Sequence, residues 1–279
     1  MPIADTGEKK RVAIDPAVDG WRARFDALGL NTVCEESGCP NMASCYARGA
    51  ATFLILGRTC TRDCRFCAVG HGAPAAADPG EPARVASAVR EVLMRYAVVT
   101  SVTRDDLPDG GAGHFARTVA AMREACPGTG IEVLVPDFMG NEESVATVVR
   151  AAPDVFAHNV ETVPRLYGGV RPGASYERSL GVLKAASALG ARVKSGLMVG
   201  LGEEAGEVAA VMADLAKAGV SSVTIGQYLR PSGAHLPVVR HHTVDEFASY
   251  GRMAREAGIG TVKSGYFVRS SYHAGEVGG

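Results

Sequence analysis

The sequence predicts an α/β chain whose strands form a complete or partial β/α barrel, and three observations lead there. From Thr52 to Ala257, short apolar runs alternate with helical patterns, giving at least six strand–helix units. Strands separated by helices pair in parallel through right-handed crossovers. The 279 residues are 47% hydrophobic and 21% charged, which is the balance of a globular domain with a sizeable core. No fixed-period repeat or low-complexity stretch divides the run. Six units in one run suit a single barrel, and a doubly wound open sheet is the alternative.

Taken in order, residues 1–20 read as a polar arm, and Trp21 to Leu30 as a short helix with Trp21, Phe25 and Leu28 on one face. A cysteine-rich segment, Cys34 to Cys45, follows. Phe53 to Leu56 is a buried strand that Gly57 breaks. Pro82 to Arg95 is a helix, with Pro82 suited to its first turn. Tyr96 to Val102 is a strand, and a Gly-rich loop from Asp105 to Gly113 leads into a helix from His114 to Ala125. The pattern continues as strand Ile131 to Val135, helix Glu142 to Ala151, strand Val155 to Val160 and helix Tyr176 to Leu189. Strand Arg192 to Val199, helix Ala205 to Ala218, strand Val223 to Tyr228, helix Val244 to Ala257 and a short strand near Thr261 complete it. In such a barrel, function sits where strands end and loops begin.

Composition narrows the classes. A formal net charge of −1 creates no global field for nucleic acid or an anionic membrane. Aromatics are 6% of residues with Trp21 the single tryptophan, too few for a platform that stacks single-stranded bases. No run reaches the length of a membrane span, and the first residues lack the apolar core of a secretory signal. A cytoplasmic setting is expected, where seven cysteines stay reduced and suit metal better than disulfides.

Six of those cysteines form two triplets within residues 34–67. Cys60, Cys64 and Cys67 follow the first strand of the alternating run, with three and then two residues between them. Three thiolates leave one over if they pair as disulfides, but they converge on a metal centre and leave one position open for chemistry. Cys34, Cys39 and Cys45 are spaced by four and then five residues. A closed zinc site usually shows paired two-residue gaps and four ligands, a form neither triplet has. Cys126, beside Pro127 at a helix end, reads as a small buried hydrophobe. His158 reads as a packed, hydrogen-bonded side chain, and the other histidines, His241 and His242 included, as surface.

The loop C-T-R-D-C-R-F-C (60–67), with Phe66 before its last cysteine, resembles the motif of radical S-adenosylmethionine (SAM) enzymes. G-L-M-V-G-L-G-E (196–203) resembles that superfamily's adenine-supporting strand end, and Thr100 to Asp106 the segment that holds the SAM amino group. N-T-V-C-E-E-S-G-C-P-N (31–41), R-D-D-L-P-D-G-G-A (104–112), H-N-V-E-T-V (158–163), G-Q-Y-L-R-P (226–231) and V-R-S-S-Y-H-A (268–274) extend the resemblance to the lipoyl synthase family. It implies a partial (β/α)6 TIM-like barrel of the radical SAM type at 51–258. Residues 1–50 and 259–279 would be extensions that carry an auxiliary iron–sulfur cluster.

The resemblance also implies cofactors and roles. Two 4Fe–4S clusters are expected: one on Cys60, Cys64 and Cys67 that chelates SAM, and one on Cys34, Cys39, Cys45 and the oxygen of Ser271, with Arg269 holding or releasing that oxygen. Ser101, Arg104 and Asp105 would lie near the SAM methionyl end, and Asn159 and Glu161 at SAM or its ribose. Arg171 and Lys194 would meet the SAM carboxylate or the acyl lysine, while Gln227 and Tyr228 face the substrate mouth. The implied reaction inserts sulfur at carbons six and eight of an octanoyl chain held by a lysine of a lipoyl carrier domain, with the auxiliary cluster consumed as sulfur donor. Implied partners are octanoylated 2-oxoacid dehydrogenase E2 subunits or glycine cleavage H protein, an electron donor such as flavodoxin or ferredoxin, and an iron–sulfur cluster carrier, with no nucleic acid and no membrane. Three residues depart from the family pattern: Thr103 stands for a usual Asp, Tyr266 for a usual Pro, and Tyr46 for a common Trp or Phe. A relative acting on another acyl carrier, a methylthiotransferase acting on RNA or protein, and a zinc-stabilised binding module are the alternatives.

Overall fold

In the computed structural model, residues 16–272 and 274–276 are described. Most of the expected polar arm, residues 1–15, lies outside them, as does His273 of the C-terminal motif. The first helix, α1 (Pro16–Ala27), starts five residues before the expected Trp21. Burial explains the earlier start, because Val18 and Phe25 both join the core. Asn31–Thr32 (β1), Val33–Glu36 (α2) and Met42–Ala47 (α3) carry the first cysteine triplet.

The alternating run then builds the sheet: β2 (Ala50–Ile55), two short strands β3 (Thr59–Cys60) and β4 (Gly70–His71), α4 (Glu81–Glu91), β5 (Tyr96–Ser101), α5 (Ala112–Ala125) and β6 (Gly130–Leu134). It continues with α6 (Glu142–Arg150), β7 (Val155–Ala157), α7 (Tyr167–Val170), α8 (Tyr176–Ala188), β8 (Val193–Val199), α9 (Ala205–Lys217), β9 (Ser222–Gln227), α10 (Val244–Glu256) and β10 (Thr261–Gly265). The main sheet runs β1-β2-β5-β6-β7-β8-β9-β10, and every neighbouring pair after the antiparallel β1–β2 is parallel. The order has two ends, so the barrel is partial, as expected. Sequence cues set the helix starts: Pro82 lies in the first turn of α4, and Thr243 with Glu246 forms a capping box at α10.

Parallel pairing from β2 to β10 sends the C-terminal ends of these strands of the main sheet to one side, which fixes the mouth. One apolar core extends from Val18 to Tyr266, so the segments before and after the alternating run share it. Trp21 packs on Tyr46 with ring centroids 5.0 Å apart, and Phe25 on Phe53 at 5.2 Å, which presses α1 and α3 onto β2. Tyr46 does this as a ring of suitable size, so the departure there keeps the packing. Cys126 is partly buried against the core, its thiol facing the Ala86 carbonyl at 3.8 Å. Among the described residues, no helix is long and apolar enough to cross a membrane.

Charge is also buried. Lys194 on β8 donates to both oxygens of Glu132 on β6 at 2.8 and 2.9 Å, and Tyr96 donates to the same carboxylate at 3.2 Å. Both side chains of the ion pair are 1% exposed. The expectation that Lys194 meets SAM or the acyl lysine therefore changes: its ammonium is committed to Glu132, near the N-terminal ends of the strands and away from the mouth. Two histidines expected at the surface are buried too. His114 pairs with Glu81 at 2.8 Å, and His242 with Glu203 at 3.1 Å. The buried Lys194 yields a first prediction. Lys194→Met strands the Glu132 charge and costs about 3–5 kcal/mol in urea unfolding, whereas Lys194→Met with Glu132→Leu recovers most of it. A single variant as stable as the parent would contradict the reading.

Candidate active site

The loop from Gly57 to His71 crosses the mouth. Its base is the β3–β4 pair, Thr59 with Gly70 and Cys60 with His71. One side of the loop is zipped to the segment after β5. Thr61 donates its backbone N–H and its hydroxyl to the Thr103 carbonyl, both at 3.1 Å, and Thr103 returns its own N–H to the Cys60 sulfur at 3.3 Å. Only backbone atoms of Thr103 take part in these bonds, so they tolerate a Thr where an Asp is usual. The other side is held by Arg65, whose N–H donates to the Val170 carbonyl at 3.0 Å, and by Phe66, which packs with Val170, Leu201 and Tyr228. His235, expected at the surface, meets the Cys67 carbonyl at 3.0 Å.

Facing this loop stand the residues that follow β7. Asn159 donates to Glu161 at 3.0 Å. Glu161 holds a left-handed φ of 65°, a conformation that costs a non-glycine residue about 1 kcal/mol or more and is kept only where surroundings impose it. Its N–H bonds the Gly196 carbonyl at 3.0 Å and its own carbonyl accepts from Met198 at 2.8 Å, which clamps it across β8. A Cβ at Gly196 would stand 2.7 Å from Asn159 Oδ1, so a larger residue there would push the Asn159 side chain aside. Arg171, 9% exposed, donates Nη1 to the carbonyls of Asn159 and Val160 and to the Tyr167 hydroxyl at 3.0, 3.2 and 3.1 Å.

The electrostatics of the mouth are coupled. Burial raises the Cys64 thiol above its ordinary range while the Arg171 charge opposes it. Burial likewise pushes Cys67 up to about 11, and raises the Glu161 carboxyl despite Arg171 and Asn159. His158 is held down to about 4 by burial and by Arg171, with Nδ1 bonded to the Val135 carbonyl at 2.8 Å. It is packed and hydrogen-bonded through Nδ1, as expected, while its buried Nε2 has no partner.

Arg104 and Asp105 take other partners than the expected ones. Arg104 is buried and bonds Asp106 at 2.8 Å and the Leu56 carbonyl at 3.3 Å, which joins the end of β2 to the loop after β5. Asp105 accepts two hydrogen bonds from Arg62 at 2.7 and 2.8 Å. Ser101, the last residue of β5, has a buried hydroxyl without a hydrogen-bond partner, and Arg171 Nε is buried and unpartnered as well. Gln227 and Tyr228 are internally satisfied: Gln227 bridges the Arg240 carbonyl and the His242 N–H, and Tyr228 donates to the Leu236 carbonyl.

The first triplet lies elsewhere. Cys34, Cys39 and Cys45 line a partly open cavity with Asn41, Thr52, Val98, Arg269 and Ser271. Residues from both ends of the chain thus meet over the N-terminal half of β2. Gly226 makes this possible: a Cβ there would stand 2.1 Å from the Val268 carbonyl oxygen, so only glycine lets the C-terminal segment lie against β9. Asn41 reinforces the contact by donating to the Phe267 carbonyl at 2.8 Å. Tyr266 adds a bond to His241 at 2.8 Å, stacked at 23°. Burial pushes Cys34 up to about 12, and it lowers Arg269, partly countered by Cys39.

Both places fit iron–sulfur chemistry. All seven cysteines are free. Among the described residues, no three His, Cys, Asp or Glu side chains gather around a point fit for a single metal ion. The first triplet instead rings a cavity, and its thiols must lose protons to bind metal. The partnerless Ser101 hydroxyl and Arg171 Nε are what a polar ligand at the mouth would satisfy.

Solved structures with this fold include Streptococcus suis SuiB bound to SAM (TM-score 0.61, 10% identity, 93% of this chain and 68% of that one) and the maturase HydG (TM-score 0.60, 14% identity, 88% and 62%). At those identities the likeness concerns fold alone. The Radical SAM superfamily model matches residues 54–215, and fold and mouth together define a radical SAM enzyme. Relatives named lipoyl synthase extend over almost the whole chain. That of Rubrobacter xylanophilus is 52% identical over 96% of this chain and 84% of its own length, and that of Chlorobium phaeovibrioides 51% identical over 96% and 95%. A third, from Caldanaerobacter subterraneus subsp. tengcongensis, is 55% identical over 88% and 87%. The chain belongs to the lipoyl synthase family, as a sulfurtransferase that uses a 4Fe–4S cluster and SAM.

Gly226 carries the second prediction. Gly226→Ala forces the C-terminal segment off β9 at an overpacking cost of about 1–3 kcal/mol. Hydrogen exchange at 266–272 should then quicken by about tenfold or more while the strands stay protected. Unchanged exchange there would contradict the close-approach argument.

Proposed function

We propose that the two ends of this barrel divide the reaction: the mouth makes a radical and the cavity supplies sulfur. Residues 51–258 serve the first task, and 1–50 with 259–279 the second. Cys60, Cys64 and Cys67 hold the cluster that binds SAM, and Cys34, Cys39, Cys45 and Ser271 hold an auxiliary one. The observation that carries this reading is the shared lining of one cavity by all three cysteines of the first triplet together with Arg269 and Ser271.

Held by Cys60, Cys64 and Cys67, a 4Fe–4S cluster would supply one-electron reduction of SAM, and one held by Cys34, Cys39, Cys45 and Ser271 would supply sulfur. The rest is work for side chains. Arg171, fixed by two carbonyls and a tyrosine hydroxyl, offers its free Nε to the SAM carboxylate. Ser101 offers its hydroxyl to the methionyl end, and Asn159 and Glu161 face the ribose. Arg104 and Asp105 act through the loops they tie. Arg269, whose guanidinium bonds the carbonyls of Val268 and Tyr266 at 2.7 and 3.4 Å, sets the chain direction that brings Ser271 to the cavity.

The octanoyl chain of the lipoyl carrier lies in the barrel between the two ends. From Ala50 to Ile55 the strand covers about 16 Å at roughly 3.3 Å per residue, a gap that an extended acyl chain spans in part. The apolar and paired residues lining it exclude water from a radical that water-borne reductants would quench. A flavodoxin or ferredoxin as electron source, a cluster carrier that rebuilds the auxiliary site, and a reducing cytoplasmic setting complete the proposal.

Anaerobic incubation with SAM, a strong one-electron reductant and an octanoyl-lysine peptide, followed by mass spectrometry, tests it. Ser271→Ala should cut dihydrolipoyl product at least about tenfold while reductive SAM cleavage stays near the parent rate. Cys64→Ala should abolish both. Equal losses in the two variants would overturn the division.

A further inference from the structure

Between Cys60 and Cys64, the sequence T-R-D reads as a solvated polar turn, yet the Arg62 side chain is 6% exposed. Its guanidinium forks twice. Nε and Nη2 bind Asp105 at 2.7 and 2.8 Å, and Nη1 and Nη2 bind Asp137 at 2.9 and 2.7 Å. Asp137, just after β6, is 0% exposed, and it takes a further bond from Arg178 at 3.1 Å. Burial works against ionisation of Asp137, but Arg62 outweighs it and holds the carboxyl down to about 2. The backbone N–H of Arg62 points at the Cys60 sulfur, 3.4 Å away, beside the N–H of Thr103 at 3.3 Å.

We propose that Arg62 is a positioning residue for the SAM-binding cluster: its double fork to Asp105 and Asp137 fixes the loop so that two backbone N–H groups stay aimed at the Cys60 sulfur. The chemistry follows from charge. A thiolate ligand of a reduced cluster carries more negative charge than that of an oxidised one, so N–H donors to the sulfur favour the reduced state and raise the potential. Only an arginine holds two carboxylates with parallel pairs of bonds; lysine carries the same charge at a single point. Asp63, 62% exposed in the same loop and, among the described residues, facing His71 at 3.4 Å, shows what a loop charge outside the clamp looks like.

The inference rests on Cys60, Cys64 and Cys67 carrying the SAM-binding cluster. The test uses the full chain reconstituted anaerobically, following the electron paramagnetic resonance signal that SAM perturbs. Arg62→Lys should lower the reduced-to-oxidised ratio of that cluster about tenfold at fixed potential, near 59 mV for one electron, and speed its loss to a chelator about tenfold. Asp105→Asn, which leaves the buried Asp137 contact in place, should shift both in the same direction by less. Asp63→Asn removes the same unit of charge from the loop and should leave both at parent values. If Arg62→Lys fails to fold, Asp105→Asn against Asp63→Asn decides. Parent-like potential and cluster retention in the clamp variants, with only the unfolding temperature lowered, would overturn the proposal, and so would equal shifts in Asp105→Asn and Asp63→Asn. A parent protein whose signal ignores SAM would instead remove the assignment of the cluster on which the inference rests.

Discussion

A carbonyl oxygen occupies the space where any residue but glycine would place a side chain at position 226. That contact decides how the chain's two ends meet. Val268 lies against β9, the following residues turn toward β2, and Ser271 arrives beside cysteines more than 200 residues earlier in the sequence. The aromatic stack of Trp21, Phe25 and Tyr46 does the matching work on the other side, seating α3 and Cys45 on the same strand. Among the described residues, both extensions pack into the core of the barrel.

Buried charge is organised by the same economy. Arg62 with Asp105 and Asp137, Lys194 with Glu132, and His242 with Glu203 are each closed pairs or networks, as groups removed from water must be. Those at the strand C-termini tie together loops that carry reactive groups, while Lys194 and Glu132 secure the opposite end. Some buried polar atoms lack a partner, and three of them, the Ser101 hydroxyl, His158 Nε2 and Arg171 Nε, belong to residues that follow or end the strands near the mouth.

Much of this was legible in the sequence. The alternation of strands and helices located every barrel strand to within a few residues, because burial on both faces of a parallel sheet leaves continuous apolar runs. The spacing of Cys60, Cys64 and Cys67 suggests a metal loop by itself, since such a loop is local. The proposal for Ser271 comes only through resemblance; R-S-S-Y by itself reads as a polar turn. What escaped was long-range pairing. Arg62 and Asp137 are 75 residues apart and Lys194 and Glu132 are 62 apart, so nothing nearby marks either arginine or lysine as buried. His114 and His242 escaped for the same reason, each bonded to a glutamate more than 30 residues away. The early start of α1 escaped because Asp19 and Gly20 weaken local helix propensity, which packing of Val18 and Phe25 overrides.

The central claim is spatial: one iron cluster at the mouth, another in the cavity closed by the C-terminal segment. An anomalous difference map at the iron edge, from crystals of the anaerobically reconstituted protein, tests it most directly. The account predicts two iron centres, one on Cys60, Cys64 and Cys67 and one on Cys34, Cys39 and Cys45 with Ser271 oxygen as the fourth ligand. A single centre, or a cavity centre whose fourth ligand is anything but Ser271, would contradict it.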